Sequence, residues 1–113
     1  MVEDEELIRA LVVDTLSSEG YEVRGAASGE EALHLLKAGL PNLILLDLRM
    51  MGMSGREFVE RQRETWGAIP IVLLSGSMEA AAVGAEIGAV SVVRKPFDLD
   101  DLIAVVGSAT APN

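Results

Sequence analysis

Cysteine is absent from this 113-residue chain. That excludes a disulfide framework and any thiolate metal centre, and a single histidine, His34, leaves zinc chemistry implausible. Aromatic residues are nearly as scarce. Trp66, Tyr21, Phe58 and Phe97 are too few to build a platform on which single-stranded nucleic acid could stack. Positive charge is also in short supply: the formal net charge is −9, whereas phosphate backbones are held by clustered Lys and Arg. An acidic surface suits cations or basic partners instead. No apolar run approaches the ~20 residues of a membrane span, and no basic-then-apolar signal segment opens the chain. A cytoplasmic location is therefore the default expectation.

What the chain does have is apolar patterning, at 50% hydrophobic residues over a length that fits one compact domain and not two. The organising stretch is Leu43-Ile44-Leu45-Leu46-Asp47, an aliphatic run that ends in one aspartate and opens into a glycine-punctuated loop through Gly55. Such a run reads as a strand buried on both faces of a parallel sheet. Asp47 then lies at the carboxyl end of the strand, where open α/β sheets bind their ligands. Taken alone, the stretch leaves open whether Asp47 serves chemistry or caps the next turn.

The remaining elements alternate. Leu7, Ile8, Leu11, Val12 and Leu16 recur at helical spacing, predicting a helix over residues 5–19 that Gly20 ends. Residues 21–26 alternate apolar and polar, a short strand near a sheet edge. Ser28 with Glu31, and Ser54 with Glu57, carry the capping-box spacing and start two further helices. His34 lies among apolar neighbours on the first of these and reads as a surface or boundary residue. Ile69 to Leu74 forms a second aliphatic strand, and Ser77 can cap a helix over residues 78–86 in which Gly84 lowers the propensity. A β-branched strand over residues 90–93, a helix capped by Asp98 that runs to about Val106, and a fraying tail complete the chain. This order predicts a three-layer α/β fold: a flavodoxin-like, doubly wound parallel sheet with right-handed crossovers and helices on both faces.

In such a sheet the strand ends all face one crevice, which gathers Asp47, Ser75 and Lys95, with the acidic pair Glu3 and Asp4 as a fourth contribution. Carboxylates from Asp4 and Asp47, with a carbonyl from the loop after Asp47, offer oxygen ligands to a hard divalent cation, most plausibly Mg²⁺ retaining several waters. Lys95 supplies a point charge and Ser75 a hydroxyl, both suited to phosphoryl oxygens. Asp47 is the candidate nucleophile, since a carboxylate can form an aspartyl-phosphate once a metal relieves charge repulsion.

With these residues in place the sequence resembles a response-regulator receiver domain, the phosphoacceptor module of two-component signalling. The resemblance rests on Val2-Glu3-Asp4-Glu5, residues 43–55, Leu73-Leu74-Ser75-Gly76 and Lys95-Pro96-Phe97. It places a receiver domain over residues 1–107 and a frayed tail over 108–113. The resemblance implies that Asp47 accepts a phosphoryl group from the phosphohistidine of a sensor histidine kinase or phosphotransfer protein. It further implies that Glu3 and Asp4 bind Mg²⁺ directly or through water, and that the main-chain carbonyl of Arg49 is a metal ligand. Ser75 becomes the switch hydroxyl, Gly76 the neighbour whose N–H meets phosphate, and Lys95 the phosphate-binding cation, with a cis Lys95-Pro96 bond. Slow loss of the phosphoryl group is the only catalysis expected, so the chain is not expected to be an enzyme.

Three departures accompany the resemblance. Met51 stands where members often have proline, which leaves the loop less rigid. Val92 replaces an aromatic whose rotamer couples phosphorylation to the surface. Above all, the hydrophobic strand before the acidic pair, central in such sheets, is here only Met1-Val2. Its missing aliphatics correspond to roughly 6 to 8 kcal/mol of burial, comparable to the total stability of a domain. A truncated start, a strand supplied by another subunit as in a homo-oligomer or strand-exchanged dimer, and recruitment of Ala10 to Val13 as strand are the candidate explanations. The chain as given is therefore expected to be destabilised or oligomeric. Two other functional classes compete: a receiver-like interaction module independent of phosphorylation, and a haloacid-dehalogenase-like phosphatase. The phosphatase would want a second carboxylate two residues after the nucleophile, where Arg49 stands.

Overall fold

The computed structural model describes residues 1–48, 52–76 and 78–110. Strands β1 (Ile44–Asp47), β2 (Ile71–Ser75) and β3 (Ser91–Arg94) form a parallel sheet in that spatial order. Helices α1 (Glu6–Ser18), α2 (Gly29–Leu36), α3 (Gly55–Trp66), α4 (Ala80–Ile87) and α5 (Leu99–Thr110) lie on its two faces. Every residue of β1 and β2 is buried, as the unbroken aliphatic runs require.

Alternate strand residues feed two cores. Ile44, Leu46, Ile71 and Leu73 pack against Ala32 and Leu36 of α2, Phe58 and Val59 of α3, and Val83 and Ile87 of α4. Leu45, Val72, Leu74 and Val93 pack on the opposite face against Val12 and Leu16 of α1 and Leu102 and Val106 of α5. The period of two along each strand thus becomes the three-layer architecture.

Val2 extends the sheet by a single residue. It makes parallel bridges to both Ala26 and Leu46, donating to Leu45 O at 2.7 Å and accepting from Asp47 N at 2.9 Å. The lateral order is therefore Ala26, Val2, β1, β2, β3, which is the flavodoxin-like order with the central strand reduced to one buried residue. Residues 10–13 remain inside α1 and are not recruited as a substitute strand. A cavity of about 520 Å³ lies beside this shortened strand, lined among others by Met1, Tyr21, Val23, Leu36, Leu43 and Ile44.

Several elements differ from the sequence expectation. The strand expected over residues 21–26 is only the bridge at Ala26, because the neighbour it would pair with contributes only Met1 to Glu3. α4 begins at Ala80 and not at residue 78; the Ser77 cap falls outside the described residues. α5 continues to Thr110 and does not end near Val106. Thr110 Oγ1 donates back to Val106 O at 2.8 Å and lies 3.5 Å from the Tyr21 hydroxyl, which ties the last turn to the body. The caps at Ser28 and Ser54 form as predicted, each accepting from the N–H three residues on at 3.1 Å.

Candidate functional site

The parallel register brings the strand ends level. Asp47 closes β1, Ser75 closes β2 opposite Arg94, and Lys95 follows β3 directly. The bridge from Val2 to Leu46 sets Glu3 and Asp4 beside Asp47. Glu3, Asp47 and Ser75 are buried, Lys95 is partly buried, and Asp4 and Gly76 face solvent.

Lys95 Nζ lies 3.2 Å from Asp47 Oδ2, and 3.3 and 3.2 Å from the two Glu3 oxygens. One ammonium thus spans two buried carboxylates. Burial first, and then hydrogen bonding and repulsion from Asp47, push the Glu3 carboxyl up to about 8, with Lys95 opposing the shift. Burial works against the charge on Lys95, but attraction to Asp47 and Glu3 outweighs it and holds the ammonium above its ordinary value. Glu3 accordingly keeps a proton near neutrality while Lys95 stays charged.

One carboxylate oxygen each from Glu3, Asp4 and Asp47 lies within 4.8 Å of the others, so these three can hold a metal ion together. An all-oxygen donor set of this kind suits a hard cation that keeps some of its waters. Arg49, the expected carbonyl ligand, and Met51 lie outside the described residues. The Lys95-Pro96 bond is cis, as expected. A Cβ at Gly76 would stand 3.7 Å from Lys95 Cβ, ordinary contact, so space alone does not demand glycine there. His34 is exposed on α2.

Two neighbours of the site carry no sequence signal. Arg9 of α1 donates from a guanidinium nitrogen to the main-chain carbonyl of Glu3 at 2.8 Å. Glu30 of α2 accepts from Met53 N at 3.3 Å and so ties down the loop that follows Asp47. Both act on main chain, which any residue presents, so no motif announces them. The division within the acidic pair, Glu3 buried and Asp4 exposed, was equally invisible from sequence.

The profile of the response regulator receiver domain family matches residues 1–107. Sporulation initiation phosphotransferase F of Bacillus subtilis is 32% identical over 104 residues, which cover 90% of this chain and 84% of that protein. The uncharacterized transcriptional regulatory protein YkoG of the same organism is 36% identical over 115 residues, 100% of this chain but 50% of that protein. The chain thus spans about half the length of that relative. Among solved structures, the receiver domain of NtrX from Brucella abortus superposes with a TM-score of 0.90 at 32% identity, covering 99% of this chain and 97% of that one.

Proposed function

The chain belongs to the response-regulator receiver family, a phosphoacceptor module of two-component signalling, and from that premise we propose that Asp47 is the residue that takes the phosphoryl group. The observation that carries this reading is the convergence on Asp47 of one cation and two further carboxylates at the carboxyl ends of the parallel strands. The donor is the phosphohistidine of a sensor histidine kinase or phosphotransfer protein. An Asp47 oxygen attacks phosphorus, the P–N bond breaks, and the electron pair returns to the histidine ring. Lys95 moves from bridging two carboxylates to meeting the phosphoryl oxygens, and Ser75 with the Gly76 N–H lies on the side where those oxygens arrive.

Glu3, Asp4 and Asp47, with the Arg49 carbonyl, would hold Mg²⁺. When bound, the ion neutralises the charge that otherwise keeps a phosphate from a carboxylate. Slow hydrolysis of the aspartyl-phosphate is the turnover this reading assigns to the site. An interaction module indifferent to phosphorylation would have no use for a buried Glu3–Lys95–Asp47 cluster. Cysteine-free and acidic, the domain suits a cytoplasmic exchange with its kinase.

The test is incubation with acetyl phosphate or beryllofluoride and Mg²⁺, followed by intact-mass measurement or fluorescence. Wild type should gain one phosphoryl group or show a spectral change, and Asp47→Asn should not. Equal labelling of the two proteins would rule out Asp47 as the acceptor.

A further inference from the structure

We propose that Arg9 is a positioning residue for the cation site, holding the Glu3–Asp4 peptide in the orientation that aims both carboxylates at Asp47; the inference rests on the site reading above. Arg9 lies in the first turns of α1, and its main-chain N–H bonds to Glu5 O at 2.9 Å. Its guanidinium returns to the Glu3 carbonyl at 2.8 Å and so closes a ring around the bend at Asp4. On the other side, Glu3 N donates to Ala26 O at 2.9 Å. Because the peptide unit is planar, fixing the Glu3 carbonyl fixes the plane from which the Asp4 Cα departs.

A ladder would ordinarily provide this rigidity, but Val2 is paired by single bridges only. The Arg9 stem is itself confined. A Cβ at position 25 would stand 3.3 Å from both Arg9 Cγ and Cδ, and 3.4 Å from Val13 Cγ2. Glycine at 25 thus leaves the channel through which the guanidinium reaches the acidic segment.

A positive charge near a divalent-cation site has an obvious alternative effect, which is to repel the ion, and the two roles predict opposite signs. The experiment is calorimetric titration of Mg²⁺ into the full chain as wild type, Arg9→Met, Arg9→Lys and Asp47→Asn, with thermal melts in chelator alongside. Loss of an outer contact that orients metal ligands weakens affinity by about tenfold or more. Arg9→Met should therefore bind Mg²⁺ about tenfold more weakly than wild type, and Arg9→Lys, which keeps a charged donor, should recover part of the loss. Affinity in Arg9→Met equal to wild type, whatever its melting point, would reduce Arg9 to a helix contact and overturn the proposal. Tighter binding would overturn it in favour of repulsion. Should Arg9→Met fail to fold, Arg9→Lys decides the matter by the same criterion: unchanged or tighter binding sinks the inference. Wild type that binds no Mg²⁺, or Asp47→Asn that binds as well as wild type, would instead refute the site reading itself.

Discussion

Burial and the adjacent Asp47 raise the Glu3 carboxyl to about 8, whereas its ordinary value is 4.5. Between those values the folded protein keeps a proton that the unfolded chain has released. Stability from this group is therefore complete below the lower value and is lost as pH rises through the upper one. Each unit of difference is worth ~1.4 kcal/mol, so the loss is on the order of a few kcal/mol. Urea denaturation of the metal-free protein from about pH 5 to about pH 8.5 should show a falling midpoint, and Glu3→Gln, which cannot titrate, should show a flatter profile. A wild-type profile that rises, or that matches Glu3→Gln, contradicts a raised Glu3 carboxyl. The acidic pair, Asp47, Ser75 and Lys95 were legible in the sequence because each sits at an element boundary that patterning marks. The proton held on Glu3 was not, because it depends on which of two adjacent acids turns inward.

At the scale of elements, helix and strand identities were legible wherever a period was long or a cap explicit, as at Ser28, Ser54 and the two aliphatic runs. They were not legible where pairing decides, as over residues 21–25, whose alternation lacks a full partner strand. α4 shows a second limit. Gly84 reads from sequence as a weak helix position, yet a Cβ there would stand 2.6 Å from Val92 Cγ2 on β3. The glycine therefore serves the close approach of α4 to the sheet, where Val92 of β3 lies against it. Alanine gains about 1 kcal/mol of helix propensity over glycine, but overpacking against a β-branched residue with one favoured rotamer costs about 1 to 3 kcal/mol. Gly84→Ala should thus be neutral to destabilising in urea melts. Gly84→Ala with Val92→Ala should recover the propensity gain relative to Val92→Ala alone. Stabilisation by the single substitution would mean that the approach is looser than the distance implies.

For the whole molecule, stability is distributed unevenly across the sheet. β2 is paired on both sides and wholly buried, whereas the outer edge of β1 is bridged among the described residues only by Val2, next to a cavity of about 520 Å³. The N–H of Leu45 projects to the same side as its carbonyl, which Val2 uses, so the upper part of that edge carries no ladder among the described residues. Apolar walls that face a cavity forgo dispersion contacts, and amides without a ladder exchange through small local openings. Hydrogen exchange should therefore grade across the fold. Val72 to Leu74 should be the slowest, near the rate of global unfolding, and residues 22–25 should exchange by orders of magnitude faster. Uniform protection across residues 22–25 and 72–74 would show that the single bridge at Val2 holds this side of the sheet as firmly as the ladders of β2.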